Sequence, residues 1–267
     1  MAMRNNTLRR LLDAGQPTIG THVMTPSPNV VEMIGHTGLF DYVEFTAEYA
    51  SFDLHDLDNF CRAAELYGLG TLIKIDQDGQ RFMAQRAVGC GFQGVLFVDT
   101  RAVADAQACV RAVRPETPGS DGLHGVGARR ITYGGAAGSA EYIQALKDVV
   151  VALMIEKGPA VEHLDEIMAV PGVDMVNFGP SDYSMSIGRA APYSQVRQDP
   201  RILAVERKMI ESALQHGVAP RAEIEHPDEA RAYLDLGVRH FCLGTDLFIL
   251  KNWWQQSGEA LRKMVGA

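Results

Sequence analysis

Residues 218–243 read VAPRAEIEHPDEARAYLDLGVRHFCL. A strand candidate, Val218–Ile224, leads through Pro227 into a segment of helical period, Asp228–Leu236, and Gly237 then opens a second strand candidate, Val238–Leu243. Proline in a first helical turn forfeits no hydrogen bond, acids there meet the positive end of the helix dipole, and glycine accepts the left-handed backbone that ends a helix. Working outward, the same order recurs. The other strand candidates are Thr18–Val23, Tyr42–Ala47, Thr71–Ile75, Gly94–Val98, Val149–Ile155 and Val173–Phe178. Helical patterns lie between them at Asp56–Tyr67, Gln80–Val88, Val103–Val113 and Glu162–Val170, and Gly68, Gly89, Gly172 and Gly217 precede strands as Gly237 does. Eight such units predict a (β/α)8 TIM barrel, a fold that takes about 250 residues as one domain. A doubly wound open sheet is the alternative, but no Gly-rich first strand-to-helix turn supports it. No linker or repeat divides the chain, so residues 1–267 are expected to form a single domain with an extra C-terminal helix carrying Trp253 and Trp254.

Composition narrows the function. The longest uninterrupted apolar run is Val149–Ile155, far short of the roughly 20 residues that span a bilayer. A net charge of −8 without a Lys/Arg cluster argues against a nucleic-acid groove or an anionic membrane surface. Cys61, Cys90, Cys109 and Cys242 show no CxxC spacing, which speaks against a zinc finger or a disulfide framework and for a reducing compartment. Met1–Arg10 opens on no secretory pattern, so a cytoplasmic location is expected. No GxGxxG, GxxxxGK[ST], GxSxG or HExxH motif occurs.

Two connections are long: the Pro/Gly-rich stretch Arg114–Gly138 after strand four, and Ser181–Gln198 after strand six. Connections after strands are expected to rise from the C-terminal face of a barrel, where catalysis resides. His124 lies in the first of them beside Arg129, Arg130 and Tyr133, a composition able to close over an anionic substrate or simply to be a solvated basic loop. Strand five ends in Glu156, and strand six runs into Gly179-Pro180-Ser181-Asp182. Adjacent parallel strand ends place two such acids about 5 Å apart laterally, where they repel unless a proton or cation lies between them. A hard divalent cation suits two carboxylates better than zinc does. A lone acid would more simply cap a helix. Turn amides around Ser181 are candidates for binding a carboxylate.

Glu44, Thr46 and Glu48 share one parity on strand two, as do Leu72, Lys74 and Asp76 on strand three. If that parity faces inward, Lys74 brings an ammonium to the mouth, to hold a carboxylate or a developing oxyanion, or to act as a Schiff-base nucleophile. The bland reading is a buried ion pair with Glu44 or Glu48. His22 ends strand one and is a further candidate for the mouth. His240 reads as a core histidine, and His36, His55, His163 and His216 as solvated helix residues.

The segment VVALMIEKGPAVEHLDEIMAVPGVDMVNFGPSDYSMSIG, residues 150–188, resembles the HpcH/HpaI family of metal-dependent, class II pyruvate aldolases. Fainter similarity runs from about Gly20 to Leu250, through TPSPNVVEMIGHTGLFDYV, the GLHGVG loop and LGTDLFIL. The resemblance implies a barrel in which Glu156 and Asp182 bind Mg2+, Mn2+ or Co2+, and in which the metal chelates a 2-oxo acid and stabilises its enolate while a carbon–carbon bond breaks or forms. It also implies substrate contacts at Met154, Gly179, Pro180 and Ser181, and a homo-oligomer, up to a hexamer built as a trimer of dimers that exchange the last helix. The chain departs from the family at the acid/base positions. Tyr49 stands where the family has its histidine base, Thr46 where that histidine has its aspartate partner, Lys74 for a strand-three arginine, His124 for a loop arginine, and Met154 for a glutamine. A tyrosine of ordinary pKa near 10 is a poor base at neutral pH. The expectation is therefore a carbon–carbon lyase of aldolase type on a small 2-oxo or hydroxy acid, with Lys74, Tyr49 and His124 as catalytic candidates. A decarboxylase, hydrolase or isomerase of oxo acids on the same scaffold, or a non-catalytic metal- or ligand-binding barrel, is the alternative.

Overall fold

In a computed structural model of the chain, residues 5–127, 130–189 and 191–266 are described. All eight expected strands form: β1 (Thr18–Val23), β2 (Tyr42–Thr46), β3 (Gly70–Ile75), β4 (Gly94–Thr100), β5 (Val150–Ile155), β6 (Met175–Phe178), β7 (Ala219–Ile224) and β8 (His240–Thr245). They pair in chain order into a closed barrel, and each neighbouring pair is parallel, β8 with β1 included. β6 starts two residues late because the Val173 N–H is taken by the Val170 carbonyl in the preceding turn, at 3.3 Å. The helix expected over Glu162–Val170 is two short helices, Gly158–Glu162 and Leu164–Met168, parted at His163. That expected over Asp228–Leu236 opens as a 3-10 turn, Pro227–Glu229, before Ala230–Asp235.

Strand side chains alternate between the two faces of the barrel wall. Val43, Phe45, Ile73, Ile75, Val95, Phe97, Val151, Leu153 and Ile155 belong to one continuous buried cluster with residues of the surrounding helices. The other parity fills the barrel, and it divides by chemistry. Leu72, Leu96, Val98, Val150, Ala152, Met154 and Met175 make an apolar cluster from β3 to β6. The same parity also carries His22 on β1, Glu44 and Thr46 on β2, Lys74 on β3, Asn177 on β6, and Arg221 and Glu223 on β7. The hydrocarbon is concentrated on β3 to β6, and the ionic groups on β1, β2 and β7.

The helix Thr7–Asp13 closes the N-terminal end. Asn6 caps it by accepting the Arg9 N–H, and Leu8 enters the apolar cluster inside the barrel, a burial that contributes about 1.5–3 kcal/mol. Arg9 reaches Asp174 at 2.6 Å.

The Arg114–Gly138 connection does not rise from the mouth as expected. The helix Val103–Val113 intervenes and returns the chain to the opposite end before the connection begins. There Arg114 donates to the Val149 carbonyl at 2.6 Å, at the entrance of β5, and Arg130 grips Glu65 and the Cys90 carbonyl at the turns that lead into β3 and β4. Only a connection that leaves a strand directly stays at the C-terminal face. Ser181–Gln198 does so, and brings the helices Pro180–Ser186 and Tyr193–Val196 to the mouth. After β8 the helix Asp246–Met264 carries the chain away from the barrel, and Asp246 is its one buried residue. No helix among the described residues is long and apolar enough to cross a membrane.

Candidate active site

Glu156 directly follows β5 and is buried. Its Oε1 accepts the Asp99 N–H at 2.7 Å. Asp99 sits in a bulge near the end of β4 and is the one non-glycine residue with positive φ, 60°, among the described residues. A non-glycine residue held in that region stores strain, of the kind found where a site over-determines its backbone. Its Oδ1 holds the Lys157 ammonium at 2.7 Å, and the same ammonium reaches Asp182 Oδ1 at 2.8 Å. Three acids, Asp99, Glu156 and Asp182, thus converge on one rim of the mouth from the ends of β4, β5 and β6. Burial pushes the Glu156 carboxyl up to about 7 and nearby Asp182 raises it further, against the Asp99 N–H, Lys74 and Lys157. Gly179 permits the approach of β6, because a Cβ there would lie 2.5 Å from Glu156 Oε2.

Lys74 faces inward as its parity required. Its Nζ lies 2.7 Å from Glu48 Oε2 and donates to the Tyr49 hydroxyl at 2.7 Å. Burial opposes its charge, but Glu223, Tyr49 and Glu48 outweigh burial and hold the ammonium above its ordinary value. Burial pushes the Tyr49 hydroxyl up to about 12 despite the adjacent Lys74. At neutral pH the pair is therefore an ammonium and a neutral phenol. This excludes neither from binding, but a Schiff base needs a neutral amine and a general base needs a pKa near the working pH.

Beside Lys74 opens a cavity of about 560 Å³, lined among others by His22, Tyr49, Tyr193, Glu223, Thr245 and Phe248. Its floor is an ionic cluster. Arg221, fully buried, lies 2.5 Å from Glu44 Oε2. The His22 Nε2 is 3.2 Å from Glu44 Oε1 and 3.6 Å from Glu223 Oε1, and Asn177 donates to Glu223 at 3.0 Å. His22, Glu44 and Cys242 offer ligand atoms within 4.8 Å of one another. Arg221 already stands there, however, with its Nη2 3.3 Å from His22 Nε2, and a fixed guanidinium repels a cation.

The structure therefore groups Glu156, Asp182, Gly179, Pro180, Ser181, Lys74 and Tyr49 at the mouth. The N–H groups of Ser181 and Asp182 lie in a first turn whose first return bond is Tyr183 N–H to the Gly179 carbonyl, so neither has a helical partner. Met154 is buried in the apolar barrel interior. His124 is not brought to the mouth: its N–H donates to the Arg114 carbonyl, at the N-terminal end, while Glu156 lies beyond the other end of β5, about 20 Å of strand away. Burial alone holds the His124 imidazole down, to about 4. Asp99, Lys157, Arg221 and Glu223 were not anticipated. For the last two a signal existed, since Arg221 and Glu223 alternate with Ala222 and Ile224 in a strand otherwise apolar.

The family described as HpcH/HpaI aldolase/citrate lyase matches residues 19–252. The chain is similar to the hydroxypyruvate/pyruvate aldolase of Delftia acidovorans, 27% identical over 94% of this chain and 91% of that one. It is similar also to the 5-keto-4-deoxy-D-glucarate aldolase of Klebsiella pneumoniae, 25% identical over 97% of each. Among solved structures, an HpcH/HpaI aldolase from Desulfitobacterium hafniense superposes with a TM-score of 0.86 at 23% identity, covering 97% of both chains. With the family matched over most of the barrel, the chain belongs to the HpcH/HpaI aldolase/citrate lyase family.

Proposed function

We propose that this protein is a divalent-metal-dependent carbon–carbon lyase of aldolase type, acting on a small 2-oxo or hydroxy acid. The observation that carries the reading is the convergence of Glu156 and Asp182 at adjacent strand ends inside the family-matched region. The donor set fits a hard cation. Glu156 is a buried carboxyl raised to about 7, so its charge lacks full compensation, and Gly179 leaves its Oε2 open toward β6. Glu156 and Asp182 would hold Mg2+, Mn2+ or Co2+, with Lys157 sharing Asp182. When bound, such an ion acts as a Lewis acid toward the carboxylate and keto oxygens of a 2-oxo acid.

The chain's own groups supply the rest. The Lys74 ammonium, fixed by Glu48 and Tyr49, is a positive charge prepared for an oxyanion at C2, and such preorganised charge loses little to reorganisation during reaction. The unpartnered amides of Ser181 and Asp182 are donors for the substrate carboxylate. The cavity beside Lys74 takes the remainder of the substrate, with Phe248 and Tyr193 as apolar walls. A cytoplasmic location fits four buried free cysteines.

Assembly with further copies of the chain is part of this reading. Trp253 and Trp254 are 64% and 63% exposed on the last helix, an apolar surface of the kind monomers rarely leave open.

The test is a panel of pyruvate with aldehydes, oxaloacetate and 4-hydroxy-2-oxo acids, run with each metal and with EDTA. Retro-aldol cleavage lost in EDTA and in Glu156→Ala and Asp182→Ala supports the reading. Decarboxylation of oxaloacetate without any aldol cleavage would replace it with the decarboxylase alternative.

A further inference from the structure

The lyase reading leaves one chemical role unfilled. Cleavage needs a group that accepts a proton from the substrate hydroxyl, and neither candidate read from the sequence serves: Tyr49 is a phenol held by Lys74, and His124 lies at the far end of the barrel. We propose that His22, held between Glu44 and Glu223 on the wall of the mouth cavity, is the proton-transferring residue of this site. The inference rests on the lyase reading and goes beyond it by naming a residue on β1, across the barrel from Glu156.

Geometry carries it. His22 lines the same cavity as Lys74 and Tyr49, and its Nε2 is directed at two carboxylates, 3.2 Å from Glu44 and 3.6 Å from Glu223. Its Nδ1 lies 3.5 Å from the Thr245 hydroxyl. The β1–β8 register shifts between Gly20 and His22, with Gly244 at φ +68°. That irregularity pairs His22 with Thr245 rather than Gly244 and sets the strand end where the ring meets the cavity. Bulges near sites commonly re-aim a side chain in this way. Two charged neighbours on the cavity wall are unsuited. Glu223 is held well below the carboxylate range, since His22 and Arg221 outweigh its burial, and Lys74 stays charged.

In the cleavage direction the neutral imidazole takes the proton of the C4 hydroxyl. The C3–C4 bond then breaks, its electron pair forming the C2–C3 double bond of the enolate while the aldehyde departs. The imidazolium returns its proton to C3, which restores both the keto acid and the neutral ring. No other reactant enters.

The groups that set the working pH face His22 from three strands: Glu44 on β2, Arg221 and Glu223 on β7, and Cys242 and Thr245 on β8, with Lys74 near Glu223. Burial opposes protonation, but Cys242, Glu223 and Glu44 outweigh it and raise His22 above the ordinary histidine value. The ring is thus mostly imidazolium at neutral pH, and proton abstraction climbs with pH toward a point well above the ordinary histidine value.

The experiment is exchange of the C3 protons of pyruvate in deuterated buffer, followed by NMR from pD 6 to 9 with Mn2+-loaded protein, together with Mn2+ titration calorimetry. His22→Gln is expected to slow exchange by about 100-fold or more and to abolish the pH inflection, with Mn2+ affinity kept within about threefold. Glu223→Gln is the second variant, needed if His22→Gln does not fold: removing one carboxylate moves the inflection to lower pH, whereas a purely structural Glu223 leaves it in place. Exchange in His22→Gln within threefold of wild type, with its inflection intact, overturns the role of His22 alone. No exchange by the wild type with any metal overturns the lyase reading and His22 with it.

Discussion

The Lys74 ammonium donates to the Tyr49 hydroxyl at 2.7 Å while Glu48 holds the same nitrogen at 2.7 Å. Tyr49 therefore positions a cation rather than taking a proton. Tyr49→Phe should lower turnover about tenfold through looser Lys74 placement and leave the shape of the pH–rate profile unchanged. Lys74→Met, which removes charge stabilisation at the oxyanion, should cost about 100-fold or more in kcat. Because the amine stays protonated, borohydride with pyruvate should leave no covalent adduct in the mass spectrum. An adduct on Lys74 would restore the Schiff-base alternative.

Gly179 has a role that only glycine can fill. A Cβ would stand 2.5 Å from Glu156 Oε2 and 2.7 Å from Glu156 Cβ. Gly179→Ala should therefore displace the Glu156 carboxylate, costing about 1–3 kcal/mol of stability and a larger share of metal affinity. Calorimetric titration with Mn2+ beside a thermal melt separates the two effects.

His124 makes acid sensitivity testable away from the mouth. Burial holds its imidazole down to about 4, so the folded state keeps it neutral while the unfolded chain protonates it near 6.5. Its contribution is complete above about 6.5 and is lost as pH falls toward 4. Between pH 7 and pH 5 this amounts to about 2 kcal/mol by linkage. In His124→Gln the loss of stability over that interval, read from urea unfolding, should shrink by roughly this amount. An unchanged pH slope would show that the fold does not hold the His124 imidazole down. His240, bonded to Thr18 at 3.0 Å and also held down to about 4, keeps its own share.

The last helix should reveal the assembly. Trp253→Ser with Trp254→Ser removes the two largest exposed apolar side chains from Asp246–Met264. Light scattering should show a smaller particle than the wild type at equal concentration. A wild type that runs as a monomer would contradict the assembly.

The barrel was readable in the chain because each unit carries its own punctuation: Gly237 ends one helix with φ +93°, and β8, expected from Val238, opens two residues later at His240. The positions of Glu156 and Asp182 after β5 and β6 were readable because strand ends are marked by local pattern. What eluded the sequence depends on contacts across the barrel. His22 meets Glu223 over a separation of some two hundred residues, and only the closure of β8 on β1 brings them together. His124 misled for a related reason, since the intervening helix, not the loop composition, decides at which end of the barrel a loop lies. Lys157 carries no sequence signal of its own beside Glu156, and only the fold brings its ammonium between Asp99 and Asp182.

The central claim, that Glu156 and Asp182 hold a metal which activates a 2-oxo acid, is tested most directly by pyruvate C3-proton exchange in deuterated buffer. The wild type supplied with Mg2+, Mn2+ or Co2+ should exchange, EDTA should stop it, restored metal should revive it, and Glu156→Ala should remain inert under all three conditions. Undiminished exchange in EDTA-treated protein, or in Glu156→Ala, would contradict the account.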